Sequence, residues 1–353
     1  MHAPMKTHSI QISSELLRLF SDIDEFKGAW RALGSLAPDR LRALRHVATI
    51  ESVGSSTRIE GSKLSDREVE KLLLAIDVQQ PDSRDEQEVA GYAQTIEMIF
   101  QAYADIPITE NHIKQLHRDL LRHSQKDERH RGEYKKIANP VAAFNNSGQM
   151  VGVLLETASP FDTPRRMTEL IHWFNEENEL ARLHPLIRIA VFIVAFLQIH
   201  PFQDGNGRLS RLLTTLLLLR AGYVYVPYCS LEHVIEERRD LYYLALRETQ
   251  QTLQDPNPNW QPWLLFFARA LQEQKSRLAI KVEEERVTTA RLSELATAIL
   301  AFVRDHGRVT PRDMVALGAN PNTVKVTFSK LVEKGLLQRL GAGRSTWYKF
   351  PQA

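Results

Sequence analysis

Apolar residues recur at three- and four-residue steps through 38–50, 66–78, 86–104, 109–123, 165–183, 186–199, 208–221, 231–253 and 260–280. That spacing gathers apolar side chains on one face of a helix. A chain so dominated by it folds as packed helices, and a sheet scaffold is excluded. Start signals sit where those helices should begin. Thr109 precedes ENHIKQLH, Ser65 precedes DREVEKLL, and Thr163-Pro164 opens PRRMTELIHWFN. The stretch LRALRHVATIESVGSSTRIEGSKLSD reads as a helix, a short interruption near Gly54, and a second helix broken at Gly61.

Two regions depart from this pattern. Residues 130–162 carry Asn145-Asn146-Ser147-Gly148 between two β-tolerant apolar runs, which predicts a short exposed hairpin. Residues 283–296 read as a solvated connecting helix. Beyond it come a helix stopped by Gly307, a helix started by Thr310-Pro311, a third helix in NPNTVKVTFSKLVEKGLL, and two short strands around a Gly-Ala-Gly turn. Three helices and a hairpin in that order form the winged helix-turn-helix pattern. The expected fold is therefore mainly α, with one small hairpin and a C-terminal winged helix-turn-helix.

Composition narrows the class. The chain has 353 residues, 43% hydrophobic and 25% charged, with a net charge of +2. This length predicts more than one domain, with an ordinary packed core. A single cysteine, Cys229, excludes an intramolecular disulfide. The N-terminal stretch lacks the basic start and apolar core of a secretory signal, and no apolar run is long enough to span a membrane. The expectation is a cytoplasmic protein without membrane partners.

The polar groups concentrate in HPFQDGNGRLSR, residues 200–211, between two apolar helices. A helix ending at His200 runs into a tight turn at Gly205-Asn206-Gly207, and a new helix starts near Arg208. Backbone N–H groups of such a turn have no intrahelical partner and form an anion site, strengthened by the helix dipole. Arg208 and Arg211 lie three apart, on nearly one face, suited to phosphate oxygens. Asp204 is a hard oxygen ligand suited to Mg²⁺ (or Mn²⁺) on a polyphosphate. His200 is a base within reach of the attacking group. Together these predict phosphate-transfer chemistry. No Gly-x-x-x-x-Gly-Lys-Ser/Thr occurs, so the site is not a P-loop.

These residues resemble the Fic (Fido) family, whose motif HPFx(D/E)GNGRxxR is matched at every defined position. The upstream SPFDTPRRMTELIHWFNEEN and the downstream RLLTTLLLLRAGY and RRDLYYLALRETQQ also look like Fic segments. The resemblance places a Fic domain at 107–270, after an N-terminal helical region (1–106) and before a connecting helix (271–295) and the winged helix (296–353). It implies transfer of AMP from ATP to a Ser, Thr or Tyr hydroxyl of a protein, including self-modification. His200 would deprotonate the hydroxyl, Phe202 anchor the loop, and Asp204 hold the metal ion. Gly205, Asn206 and Gly207 would form the anion hole, and Arg208 and Arg211 would bind the phosphates. Tyr242, Tyr243 and Gln250 would line the adenine pocket. The hairpin at 132–155 would be a flap where an extended target segment adds as a strand; Pro140 there cannot donate to such pairing.

Ser56 and Glu60, four apart on one helix face, with Gly61 after them, resemble the family's inhibitory motif (S/T)xxxE(G/N), here on an inhibitory helix at about 52–62. A carboxylate beside Arg211 would occupy the arginine that should hold the γ-phosphate and leave ATP misaligned. At the other end, residues 290–353 carry ten Lys/Arg and four Asp/Glu, a net of +6. Lys325, Lys330, Arg339 and Arg344 in that region would suit DNA phosphates; dimerisation or target docking is the other use of such a module. Two alternatives to AMP transfer stay open. One is a Fic enzyme that moves another phosphate-containing group or removes AMP. The other is a nucleotide-sensing DNA-binding regulator.

Overall fold

The computed structural model describes residues 5–32, 38–75, 81–144, 150–290, 294–333, 335–341, 343 and 346–351. The chain divides into two compact units, residues 1–278 and 279–353. In the first, helices run in the order α1 (Ser14–Ala32), α2 (Pro38–Ile59), α3 (Asp66–Ala75), α4 (Arg84–Ala102) and α5 (Glu110–Leu120). Strands β1 (Val141–Phe144) and β2 (Met150–Leu155) follow, then α6 (Thr163–Leu180), α7 (Pro185–Ile199), α8 (Asn206–Arg220), α9 (Leu231–Glu237), α10 (Arg239–Gln250) and α11 (Gln261–Ala290), whose residues from 279 on fall in the second unit.

Helices α7 and α8 form the centre: α7 is apolar on nearly every face, and α8 joins a Leu-rich run to its buried Arg208, Ser210 and Arg211. Every residue of α7 from Leu186 to Leu197 is buried, and α8 is buried from Arg208 through Leu219. A helix apolar on all sides must be enclosed, and α6, α4 and α10 supply the enclosure. The loop at 200–205 is thereby held between two of the most buried helices of the unit. Thr109 caps α5 by accepting the His112 N–H, as its position predicts. The strands β1 and β2 pair antiparallel, Val141 opposite Leu155 and Phe144 opposite Met150, with two irregularities in register. The turn residues 145–149 lie outside the described residues.

The structure departs from the sequence reading in three places. Residues 14–32 form a helix that the apolar spacing does not predict. Leu16, Leu19, Phe20 and Ile23 are its buried stripe, but the exposed Leu17 blurs the pattern. Gly54 does not interrupt α2, which runs unbroken to Ile59. A Cβ there would lie 2.6 Å from the Arg58 guanidinium and 2.7 Å from the Asp66 carboxylate. The glycine makes room for an ion pair and breaks nothing. Finally, 231–253 is two helices, α9 and α10, which meet at Arg238.

The second unit holds α12 (Glu294–His306), α13 (Pro311–Ala316), α14 (Pro321–Glu333), β3 (Gln338–Leu340) and β4 (Trp347–Lys349). Ile299, Val303, Met314, Val324, Phe328, Leu331 and Tyr348 form its core. Thr310 and Asp313 make a capping box at the start of α13. The strands pair antiparallel, with Arg339 opposite Tyr348.

Candidate active site

The loop 200–205 is fixed at both ends by its own side chains. Asn206 accepts the Phe202 N–H through Oδ1 at 2.9 Å and donates through Nδ2 to the Phe202 carbonyl at 2.7 Å. Its side chain therefore shapes the loop, and only its backbone remains for an anion. Phe202 is fully buried and stacks on His117, ring centroids 3.8 Å apart. Gly205 has φ 78°, the left-handed conformation that glycine adopts without strain, and serves as N-cap of α8.

His200 ends α7, also left-handed, with φ 52°. A side chain pays a steric cost there that the surroundings must offset. Its pKa falls to about 4. Burial disfavours the imidazolium most, and the Lys135 charge adds to that, against opposition from the Leu197 carbonyl, Glu60 and Asp204. The imidazole is thus neutral near pH 7 and able to accept a proton.

Asp204 stays ionised. Burial alone would raise its pKa, but Arg208, the Gly205 N–H, Lys126 and Arg84 together lower it. The Gly205 N–H donates to Oδ1 at 2.6 Å, while Oδ2 faces Arg84 at 3.8 Å and Lys126 at 4.0 Å. Among the described residues no group of three or more His, Cys, Asp or Glu side chains is placed to hold a metal ion. An ion here would take Asp204 as its protein ligand and the rest of its shell from phosphate oxygens and water.

Arg208 is 2% exposed and pairs with Glu88 at 3.1 Å and Asp204 at 3.4 Å. Its Nε and Nη1 nonetheless lack a hydrogen-bond acceptor. Orphaned buried donors on a guanidinium are costly unless a ligand satisfies them, and a phosphate fits the need.

Arg211 is already satisfied. Its Nε donates to Ser56 Oγ at 2.8 Å, and Nη2 donates to the Ser56 carbonyl at 2.9 Å and to Glu60 Oε1 at 2.7 Å. Burial works against the arginine's charge, but Glu60 and its other neighbours outweigh it, and the pKa is raised. The Glu60 carboxylate also reaches the start of α8: a Cβ on Gly207 would lie 2.2 Å from Glu60 Oε1. Glu60 therefore lies between the Arg211 guanidinium and the start of α8. Helix α2 ends at Ile59, so Glu60 stands one residue past the helix expected to carry it, and that helix is tied down in turn. Arg58 donates to both oxygens of Glu236, at 2.6 and 2.9 Å, and to Asp66 at 2.8 Å.

The three residues expected around an adenine differ in exposure, although the Tyr242 and Tyr243 rings meet edge to face at 5.2 Å. Tyr242 is 3% exposed and packs on Trp263 and Phe266. Gln250 is buried, with Nε2 donating to the Val194 carbonyl at 3.4 Å. Tyr243 alone is exposed, at 43%. Its hydroxyl pKa is raised by burial first and then by Glu60, which puts it in electrostatic reach of that carboxylate. A cavity of about 690 Å³ beside Lys6, His8, His172 and Trp173 takes no residue from the loop.

The comparisons with known proteins come to bear on this loop. Residues 107–218 match the family model described as Fic/DOC family. Over those residues the chain carries a region similar to a Fic domain. It is 30% identical over 236 residues to the protein named protein adenylyltransferase Fic of Drosophila mojavensis, covering 65% of this chain and 42% of that one. The Drosophila melanogaster protein of the same name is 30% identical over 213 residues, covering 59% and 38%. The chain thus spans less than half the length of these curated relatives. Among solved structures, a Fic domain containing signaling protein from Bacteroides thetaiotaomicron aligns with a TM-score of 0.58 and 26% identity, over 75% of this chain and 95% of that one. A Fic family protein from Desulfovibrio desulfuricans aligns with a TM-score of 0.60 and 22% identity, over 99% of each chain.

Polar residues outside 200–211 that the sequence does not single out also shape this site. His117 accepts the Gly132 N–H at Nδ1 and donates from Nε2 to the Asp204 carbonyl, at 2.8 and 3.0 Å. Burial lowers its pKa to about 4. Arg84 and Lys126 flank Asp204, and Lys135 lies behind His200. None had a signal beyond being polar in an unremarkable stretch, except that His117 falls on the buried face of α5.

The two histidines predict acid sensitivity. An unfolded chain protonates them below about pH 6.5, whereas the folded chain resists down to about pH 4. Stability present above pH 6.5 is therefore lost as pH falls toward 4. His117, which is fully buried, is expected to account for about 2–3 kcal/mol of that loss. Denaturant melts at pH 7.5 and 4.5 check this: His117→Gln should be less stable at pH 7.5 and depend less on pH than wild type. An equal pH dependence in both would contradict it.

Proposed function

We propose that the chain is an adenylyltransferase that moves AMP from ATP to a Ser, Thr or Tyr hydroxyl of a protein, itself included, and that Glu60 holds it in check. The observation that carries this reading is that Glu60 bonds to Arg211 and lies against Gly207 at the start of α8, while the buried Arg208 keeps two donors without an acceptor. The curated relatives named protein adenylyltransferase support the identity of the transferred group.

The residues divide the reaction as follows. The backbone around Gly205 to Gly207 and the Arg208 guanidinium bind phosphate oxygens as charge shifts among them. His200, neutral at pH 7, takes the proton from the attacking hydroxyl. Asp204 would hold a Mg²⁺ or Mn²⁺ ion, which neutralises phosphate charge when bound. Arg211, once Glu60 leaves it, clamps the terminal phosphate and aligns the nucleotide. The exposed Tyr243 is the best placed of the three aromatic-pocket candidates to meet an adenine. A target segment adds along the β1–β2 hairpin; Pro140 lies just before β1, so its missing N–H costs that pairing nothing. Incubating wild type, Glu60→Gly and His200→Ala with ATP, UTP, GTP and CTP labelled at the α-phosphate tests the reading. Label on Glu60→Gly, from ATP above the others and none on His200→Ala, is the expected pattern.

A second reading concerns residues 279–353, where one observation favours nucleic acid. Helix α14 buries Val324, Thr327, Phe328 and Leu331 and exposes Asn322, Thr323, Lys325, Ser329 and Lys330. An amphipathic helix with amide, hydroxyl and ammonium groups outward suits a major groove and its phosphates. We read the unit as a winged helix-turn-helix that binds duplex DNA; Arg344, expected at its wing, lies outside the described residues. Binding of a random duplex should weaken steeply between 50 and 200 mM salt, and Lys325→Ala with Lys330→Ala should flatten the salt slope by about two. No binding at low salt would end this reading.

A further inference from the structure

Lys135 is a buried lysine without a carboxylate partner. It is 2% exposed, and its ammonium has three acceptors: the Ile199 carbonyl at 3.1 Å, Asn139 Oδ1 at 2.7 Å and Thr157 Oγ1 at 2.9 Å. Enclosing an ammonium costs several kcal/mol unless every proton is bonded, so a lysine kept here has its position fixed closely. Its pKa drops to about 8, through burial first and Arg166 of α6 second.

Each acceptor leads to a distinct part of the site. Ile199 immediately precedes His200. Asn139 stands two residues before β1, and Thr157 two residues after β2. The Thr157 hydroxyl also contacts Asn139 Oδ1 at 3.2 Å, so the two roots of the hairpin meet at the lysine. The same segment braces the other side of the base. The Lys135 N–H donates to the Pro201 carbonyl at 2.9 Å, Asn139 Nδ2 donates to the Phe202 carbonyl at 2.6 Å, and Tyr134 bridges Phe202. His200 needs such bracing, because it holds a left-handed backbone with a side chain present.

We infer that Lys135 is a positioning residue that locks the two roots of the hairpin to the backbone on either side of His200, so that a hydroxyl presented on the hairpin arrives in register with the base. The inference rests on the proposed AMP transfer and adds to it the part that aligns the protein substrate. Lys135 reaches none of the groups proposed to bind phosphate, so its loss should leave nucleotide affinity alone. A misplacement of about 1 Å between base and hydroxyl is enough to slow transfer about 100-fold.

The test uses the full chain with Glu60→Gly, ATP labelled at the α-phosphate, and self-labelling as readout. Adding Lys135→Met should lower the maximal rate about 10- to 100-fold and leave the ATP concentration for half-maximal rate within about twofold. Thr157→Val removes one acceptor at constant shape and should lower the maximal rate about two- to tenfold in the same manner; it decides the matter if Lys135→Met fails to fold. A further sign concerns His200, faced by Lys135, Asp204 and, where present, Glu60. Losing the lysine's charge should move the acid limb of the rate upward in pH, which a purely structural role would not do. An unchanged maximal rate, or a fall matched by a rise in the ATP requirement, overturns the inference. Should Glu60→Gly itself take no label, the proposed activity falls, and the His200 ring resonance still decides this point. Lys135→Met must shift that resonance and raise its titration midpoint; no change overturns the inference.

Discussion

Glu60→Gly is expected to raise the rate of AMP transfer about 10- to 100-fold over wild type. In the structure the Glu60 carboxylate sits 2.7 Å from Arg211 Nη2 and against the backbone of Gly207. A charge-assisted hydrogen bond of this kind is worth about 1.5–3 kcal/mol, and each 1.36 kcal/mol is about tenfold. Removing the carboxylate frees one guanidinium face and the space a phosphate needs. It does not set Arg211 adrift, because Ser56 still takes Nε and Nη2 through its hydroxyl and carbonyl. The variant therefore gains a prepositioned clamp and should also show tighter ATP binding. Self-labelling time courses and nucleotide titrations of both proteins check the two effects separately. Equal rates would show that Glu60 is no brake.

His200→Ala, introduced into Glu60→Gly, is expected to remove transfer while sparing ATP binding. A positioned general base contributes about 10²- to 10⁴-fold, and alanine leaves nothing in its place to take the proton. The proposed cradle takes in the α8 N-terminus, Arg208 and Arg211 but not His200, so nucleotide affinity should change little. A pH profile adds a second check. With the His200 pKa near 4, the rate of Glu60→Gly should hold nearly level from pH 8 down to about 5 and fall only below that. An acid limb near 6.5 would mean that burial does not govern this imidazole in the active form. Transfer that survives His200→Ala would move the proton's acceptor elsewhere.

How much of this was legible in the sequence depended on range. The central helices were plain because α7 is almost wholly apolar and α8 carries a long Leu-rich run, and the polar groups at their junction gather within twelve consecutive residues, 200–211. Its internal logic was only half readable. Asn206 looked like part of the anion hole, but its side chain is spent on the Phe202 backbone, a contact that only the folded turn reveals. The Glu60–Arg211 contact crosses 151 positions, and nothing but the motif around Ser56 and Glu60 pointed to it. Lys135 and His117 gave no such warning. A lysine in a basic stretch reads as solvated, and only the burial created by α7 and the hairpin roots turns it into a hub. Gly54 misled for the same reason, since a helical glycine can mark a break or a close neighbour, and the neighbour is Arg58.

The account as a whole turns on which phosphate stays with the protein. Glu60→Gly should be incubated with ATP labelled at the α-phosphate and, in parallel, with ATP labelled at the γ-phosphate, and the protein freed of nucleotide before counting. AMP transfer predicts that the α-label is retained and depends on His200, while the γ-label leaves with pyrophosphate. Retention of the γ-label, or of neither, would contradict it.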